Sequence, residues 1–181
     1  MFTSKRMVIA MAATALLAAC AAPTLAPAPT KSPNLGRLAT AQEIAAADIS
    51  IPPDGSGLPA GGGDVRQGAA VYAGKCVSCH GEKGVGKPAD ALAGGIGSLA
   101  TPTPLRTVGS YWPYATTLFD YVRRAMPIQS PKSLTNDEIY AVTAYLLNLN
   151  GIVAENAVMN AQSLPQVKMP NRDGFIDYSR R

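Results

Sequence analysis

The sequence predicts an all-α fold on three observations. Helix-start signals recur at Thr40–Glu43, Asp64–Gln67 and Thr135–Glu138. Each is a capping box, in which a short polar cap and a Glu or Gln three residues on satisfy two backbone N–H groups reciprocally. Apolar residues follow at helical spacings of three and four, and no run alternates with the period of two that a half-buried strand needs. Only 6% of the residues are aromatic, while Gly and Pro number 17 and 15, so side chains alone would struggle to fill an interior. The helices therefore need something else at their centre.

The elements follow in order. Lys5 and Arg6 precede an apolar run from Met7 to Ala19, which is too short to span a bilayer and reads as a secretory signal, residues 1–19. The run ends in Leu17-Ala18-Ala19-Cys20, which resembles the lipobox of bacterial lipoproteins. That resemblance implies cleavage before Cys20 and its acylation, several chains anchoring firmly where one binds marginally. The alternative is ordinary cleavage after Ala21, which leaves a soluble protein. Either way the mature chain is expected on the periplasmic side of a bacterial membrane. Residues 20–35, Ala- and Pro-rich and without periodicity, read as a tether.

Residues 36–63 read as a wrapping segment: a short Ala-rich helix from Thr40 to about Asp48, then Pro- and Gly-rich chain from Ile51. The domain proper spans 64–150. Asp64 caps a helix with Val65, Ala69 and Tyr72 on one face, running into Cys76. Gly81 to Gly97 is a glycine-studded loop. Pro113 suits the first turn of a helix that continues through Leu118, Phe119 and Val122 to Ala125, where Met126-Pro127 stops it. Ile139, Val142, Leu146 and Leu149 form the apolar stripe of a final helix, closed by Gly151. Residues 151–181 read as an irregular extension. There is no internal repeat and no convincing sheet.

The chemistry lies in Cys76-Val77-Ser78-Cys79-His80. Cys-x-x-Cys-His is the attachment pattern of a c-type haem: two thiols one turn apart add to the vinyl groups, and the next residue offers an imidazole to the iron. Two other readings of a bare Cys-x-x-Cys fit less well. A structural zinc site wants four Cys or His, and this chain has 3 Cys and 1 His, with Cys20 placed in the lipobox. A thioredoxin-like dithiol would sit in a βαβ context. A single covalent haem also supplies the missing interior. For His80, a backbone carbonyl near Pro88 is the expected partner of the other ring nitrogen.

With no second His, the natural sixth ligand is Met, the pairing that raises a haem's reduction potential. Met126, Met159 and Met169 are the candidates beyond the signal. Met126 is best placed, 46 residues past His80 in a turn between two helices. Met169 is next, in a tail expected to cover the surface; any of the three could instead be core filler. Filling both axial positions leaves one-electron transfer as the chemistry. A haem enzyme with its own substrate, or a ligand sensor, are the other readings, favoured by an open iron.

Arg106, Tyr111 and Trp112 are candidate donors to haem propionates, against the plainer reading of surface Arg and core aromatics. Lys75, Lys83, Lys87, Arg123 and Arg124 could rim the haem edge or simply form a solvated face. Lys5 and Arg6 contribute two of the formal +4, so the chain beyond the signal carries +2, which two propionates would cancel. No basic run interleaved with aromatics suggests nucleic acid.

Residues 64–150, through Cys76–His80, Met126 and their flanking helices, resemble class I c-type cytochromes. Thr107 to Leu118, Arg124-Ala125-Met126-Pro127, Ser133-Leu134-Thr135 with Tyr140 to Tyr145, Ala39 to Pro59 and Met169 to Phe175 are similar to the cytochrome subunit of sulfane (sulfur) dehydrogenase. This resemblance implies a class I cytochrome c fold and a molybdenum-cofactor partner subunit that hands over electrons from sulfur compounds. The chain differs from members with two haem domains in lacking a second Cys-x-x-Cys-His, and from the subunit generally in its lipobox.

Overall fold

The computed structural model describes residues 35–176 and residue 178. The signal run, Cys20 and the tether up to residue 34 lie outside the described residues. The chain divides after Thr40, and every helix and strand described belongs to the part from Ala41 onward. Residues 35–40 are irregular and exposed. No described helix is long and apolar enough to cross a membrane.

Five helices carry the fold: α1 (Ala41–Ala47), α2 (Val65–Lys75), α3 (Val77–His80), α4 (Ala115–Ala125) and α5 (Asn136–Leu149). The all-α expectation holds, with one addition. Gly62–Asp64 (β1) pairs antiparallel with Val158–Asn160 (β2), Gly63 opposite Met159. Three residues reading Gly-Gly-Asp give no alternation to recognise. The pair returns the C-terminal chain to the start of α2.

Both capping boxes of the domain form as read. The Asp64 carboxylate accepts from Gln67 N–H, and the Gln67 side chain accepts from Asp64 N–H. Thr135 and Glu138 make the same exchange at α5. α4 differs: it begins at Ala115, with Tyr114 as an extended N-cap and no side-chain cap bond, so Pro113 stands ahead of the helix.

α2 crosses α5 at closest approach through glycine. A Cβ on Gly68 would overlap the Ala141 carbonyl oxygen, and one on Gly63 would lie 2.5 Å from the Ala141 Cβ. α4 meets α5 through Phe119 and Tyr140, ring centroids 4.5 Å apart and both fully buried. Residues 151–176, irregular apart from β2 and a single turn at Leu164–Gln166, are not merely a cover. Met159, Leu164 and Met169 are buried within the core cluster, which corrects the surface placement expected of Met169. A spacing of five matches neither the helical nor the strand period, so nothing in the sequence reveals it.

Candidate haem site

α2 stops at Lys75 because Cys76 leaves helical geometry (φ −126°, ψ −34°). The Cys76 carbonyl then accepts from both Cys79 N–H (3.2 Å) and His80 N–H (3.0 Å), winding α3 as a separate turn. Gly81 closes it at φ +71°, where a Cβ would lie 2.6 Å from the Gly86 carbonyl oxygen. The Tyr72 hydroxyl donates to the Gly81 carbonyl at 2.7 Å, and burial, then the neighbouring Cys76, pushes this phenol up to about 12. Burial likewise pushes the Cys76 thiol up to about 11, against the pull of Lys75.

The His80 Nδ1 lies 2.9 Å from the Asp90 carbonyl oxygen, two residues beyond Pro88. A carbonyl only accepts, so Nδ1 carries the proton and the Nε2 lone pair is left for a ligand. The loop supplying that carbonyl is tied to α3 by Gly86 N–H to the His80 carbonyl and Ala89 N–H to the Cys79 carbonyl, both 2.8 Å. Its far end is held by Asn150, buried at the end of α5. The Asn150 amide donates to the Leu92 and Leu146 carbonyls (3.1 and 2.9 Å) and accepts from Gly94 N–H (3.1 Å). Thr107 and Ser110, also buried, add a hydroxyl turn that bonds the Gly94 and Leu105 carbonyls. The sequence reading missed these three. Thr107-x-x-Ser110 and an Asn at a helix C-cap are their only local signals.

These elements enclose a cavity of ≈ 420 Å³ lined by Tyr72, Cys76, Cys79, His80, Leu92, Leu118, Val122, Met126, Val142 and Leu146, with Arg106, Tyr111 and Trp112 also on its wall. The fold thus brings together Cys76, Cys79, His80, Met126 and all three candidate propionate donors. Met159 and Met169 do not line the cavity. Arg106 is exposed and stands over the Tyr111 ring, 5.7 Å from its centroid. Trp112 meets Tyr121 edge-on at 5.6 Å.

The basic rim contracts to one residue. Lys75 lines the cavity and pairs with Glu138 at 2.7 Å. Lys83 and Lys87 do not line it. Arg123 donates to the Ile49 carbonyl and Arg124 pairs with Asp120, so both are engaged on another face of α4. Helical geometry explains this, since neither lies three or four residues from Leu118 or Val122, the stripe of α4 that lines the cavity.

No group of three or more His, Cys, Asp or Glu side chains among the described residues could hold a metal ion by itself. Two thiols one turn apart, an imidazole with Nε2 free, a thioether and apolar walls do fit an iron porphyrin.

The comparisons agree. The family model described as cytochrome c oxidase, cbb3-type, subunit III matches residues 63–146. A chain of the crystal structure of the sulfane dehydrogenase SoxCD from Paracoccus pantotrophus is 46% identical, with a TM-score of 0.75, over 82% of this chain and 74% of that one. No curated protein matches. A haem-attachment pattern set in a cavity of porphyrin-accepting character, on this fold and at this identity, places the chain in the c-type cytochrome family, carrying haem c and similar to the SoxCD chain.

Proposed function

We propose that the chain is a His/Met-ligated electron carrier, with His80 and Met126 as the axial ligands and Cys76 and Cys79 as the thioether anchors. The observation that carries the reading is that Met126 shares the cavity with His80, whereas Met159 and Met169 are built into the core away from it. Haem c held there supplies a one-electron couple. The protein's part is to keep that couple dry, axially filled and fixed. Leu118, Val122, Val142 and Leu146 exclude water from the wall. The Asp90 carbonyl orients His80 and makes it more basic. Arg106, Tyr111 and Trp112, on the cavity wall, would donate to the propionates. The holoprotein should show the far-red charge-transfer band of a thioether on ferric haem. Met126→Ala should abolish it and Met169→Ala should not; the reverse result overturns the assignment.

The similarity to SoxCD supports a sulfur-compound dehydrogenase with a molybdenum cofactor as electron donor, with electrons passing on to a respiratory chain. Residues 1–19 would then act as a lipoprotein signal, Cys20 as the periplasmic lipid anchor and residues 20–35 as the tether. Residues 36–63 would wrap the haem domain, 64–150, and 151–181 would extend it. Capture of the holoprotein from membranes, followed by haem reduction with sulfite or thiosulfate, tests the donor. Capture without reduction by either compound would contradict it.

A further inference from the structure

α4 presents two stripes. Leu118, Val122 and, at its C-cap, Met126 face the cavity at spacings of four. Thr116, Asp120 and Arg123, spaced by four and three, engage a different partner. The Thr116 hydroxyl donates to the Pro53 carbonyl (3.1 Å), the Asp120 carboxylate accepts from Ile51 N–H (3.0 Å), and Arg123 Nη1 donates to the Ile49 carbonyl (3.1 Å). Residues 49–53 therefore run antiparallel to α4 as a strap, one polar contact at every second residue. Ile51 is buried in the core between these contacts.

We propose that this strap sets the position of Met126 over the cavity, with Asp120 as the positioning residue. The inference rests on Met126 being the sixth ligand. Asp120 is the pivot because its carboxylate is buried and doubly committed: to the strap, and to Arg124, whose Nε lies 3.0 and 3.1 Å from its two oxygens. Removing it leaves the Ile51 N–H buried without an acceptor and unties the exposed Arg124 guanidinium from the helix, which frees both the strap and the last turn of α4. That turn ends in the bond from Met126 N–H to the Val122 carbonyl, 3.1 Å. A thioether is a weak axial ligand, so its hold depends on backbone kept in place around it.

The test uses ferric holoprotein carrying Asp120→Ala, with Thr116→Val as a milder cut of the same strap. Asp120→Ala is expected to weaken the far-red band and speed cyanide binding about tenfold, equivalent to about 1.4 kcal/mol of easier opening. Thr116→Val should move both in the same direction by less, and it decides the matter if Asp120→Ala does not accumulate. A lowered melting temperature with band and cyanide rate unchanged overturns the proposal. Amide exchange from Val122 to Met126 separates the two readings. If Met126→Ala leaves the wild-type band intact, the ligand assignment fails, yet faster exchange there in Asp120→Ala still supports the strap, and unchanged exchange rejects it.

Discussion

The Nδ1 of His80 and the carbonyl oxygen of Asp90 lie 2.9 Å apart, across a loop whose chain turns at Gly86 with φ +93°. The acceptor is backbone, so the Asp90 side chain is not what orients the ring. Asp90→Ala should leave the His80 bond in place, move the reduction potential only by the small charge effect of losing one carboxylate at the cavity wall, and alter stability by no more than about 0.5 kcal/mol. Gly86→Ala should do otherwise. Its Cβ would stand 3.0 Å from Ala91 N in a left-handed backbone, at a cost of about 1–2 kcal/mol, and would push the loop off His80. A less basic imidazole stabilises ferric iron less, so the potential should rise. Redox titration of the two variants side by side checks this; equal potentials would show that the loop does not tune the ligand.

Two glycines in α2 should respond to alanine with opposite signs. At Gly68 the new methyl meets the Ala141 carbonyl of α5, and neither helix can yield without separating. Overpacking of this kind costs about 1–3 kcal/mol. At Gly74 nothing lies within 4 Å, and a helical alanine in place of glycine gains about 0.4–1 kcal/mol. Urea melts of the holoprotein should place the midpoint of Gly68→Ala below wild type and that of Gly74→Ala above it.

That contrast marks what the sequence makes legible. Asp64–Gln67 and Thr135–Glu138 are local signals, since a cap and its partner sit three residues apart, and both helices begin where those residues place them. Cys76–His80 is local too. Gly68 reads as a mild defect in a helix until Ala141, 73 residues away, arrives against it. Asp120 and Asn150 escape because Ile51, Leu92 and Gly94, which give them their roles, are distant in sequence, and Leu164 and Met169 because their surroundings carry no helical or strand period. Lys83, Arg123 and Arg124 show the converse. Charge type alone suggested a rim, and helix phase and hydrogen bonding assign the two arginines elsewhere.

The pair Lys75–Glu138 joins the end of α2 to the first turn of α5 and gives the holoprotein an acid-sensitive contact. The Lys75 ammonium first, then the Thr135 N–H, holds the Glu138 carboxyl below its ordinary value near 4.5. A carboxyl depressed in the folded state contributes stability above its unfolded value and loses it as pH falls through the folded one. Both partners are partly exposed, so the contribution is no more than about 1 kcal/mol and shrinks with salt. Glu138→Gln keeps the capping geometry and should flatten the stability curve below about pH 4.5. A wild-type slope preserved in that variant would assign the acid sensitivity to another group.

The haem-free chain should not fold stably. The cavity measures ≈ 420 Å³ and its walls are largely apolar, from Leu92, Leu118, Val122, Val142 and Leu146. At about 24 cal/mol per Å³, leaving that space unfilled costs up to about 10 kcal/mol, an upper bound because water can enter from the open side. Whole-domain stability is typically about 5–15 kcal/mol, so the deficit is of the same size as the total. The remaining helices offer little in reserve: α1 buries no residue, and α2 depends on α5, whose Val142 and Leu146 face the cavity. A Cys76→Ala, Cys79→Ala double variant, unable to attach haem covalently, should give a broad, non-cooperative thermal transition and lose near-UV circular dichroism. Cooperative melting of that variant near the holoprotein's temperature would mean that the protein core is sufficient without its porphyrin.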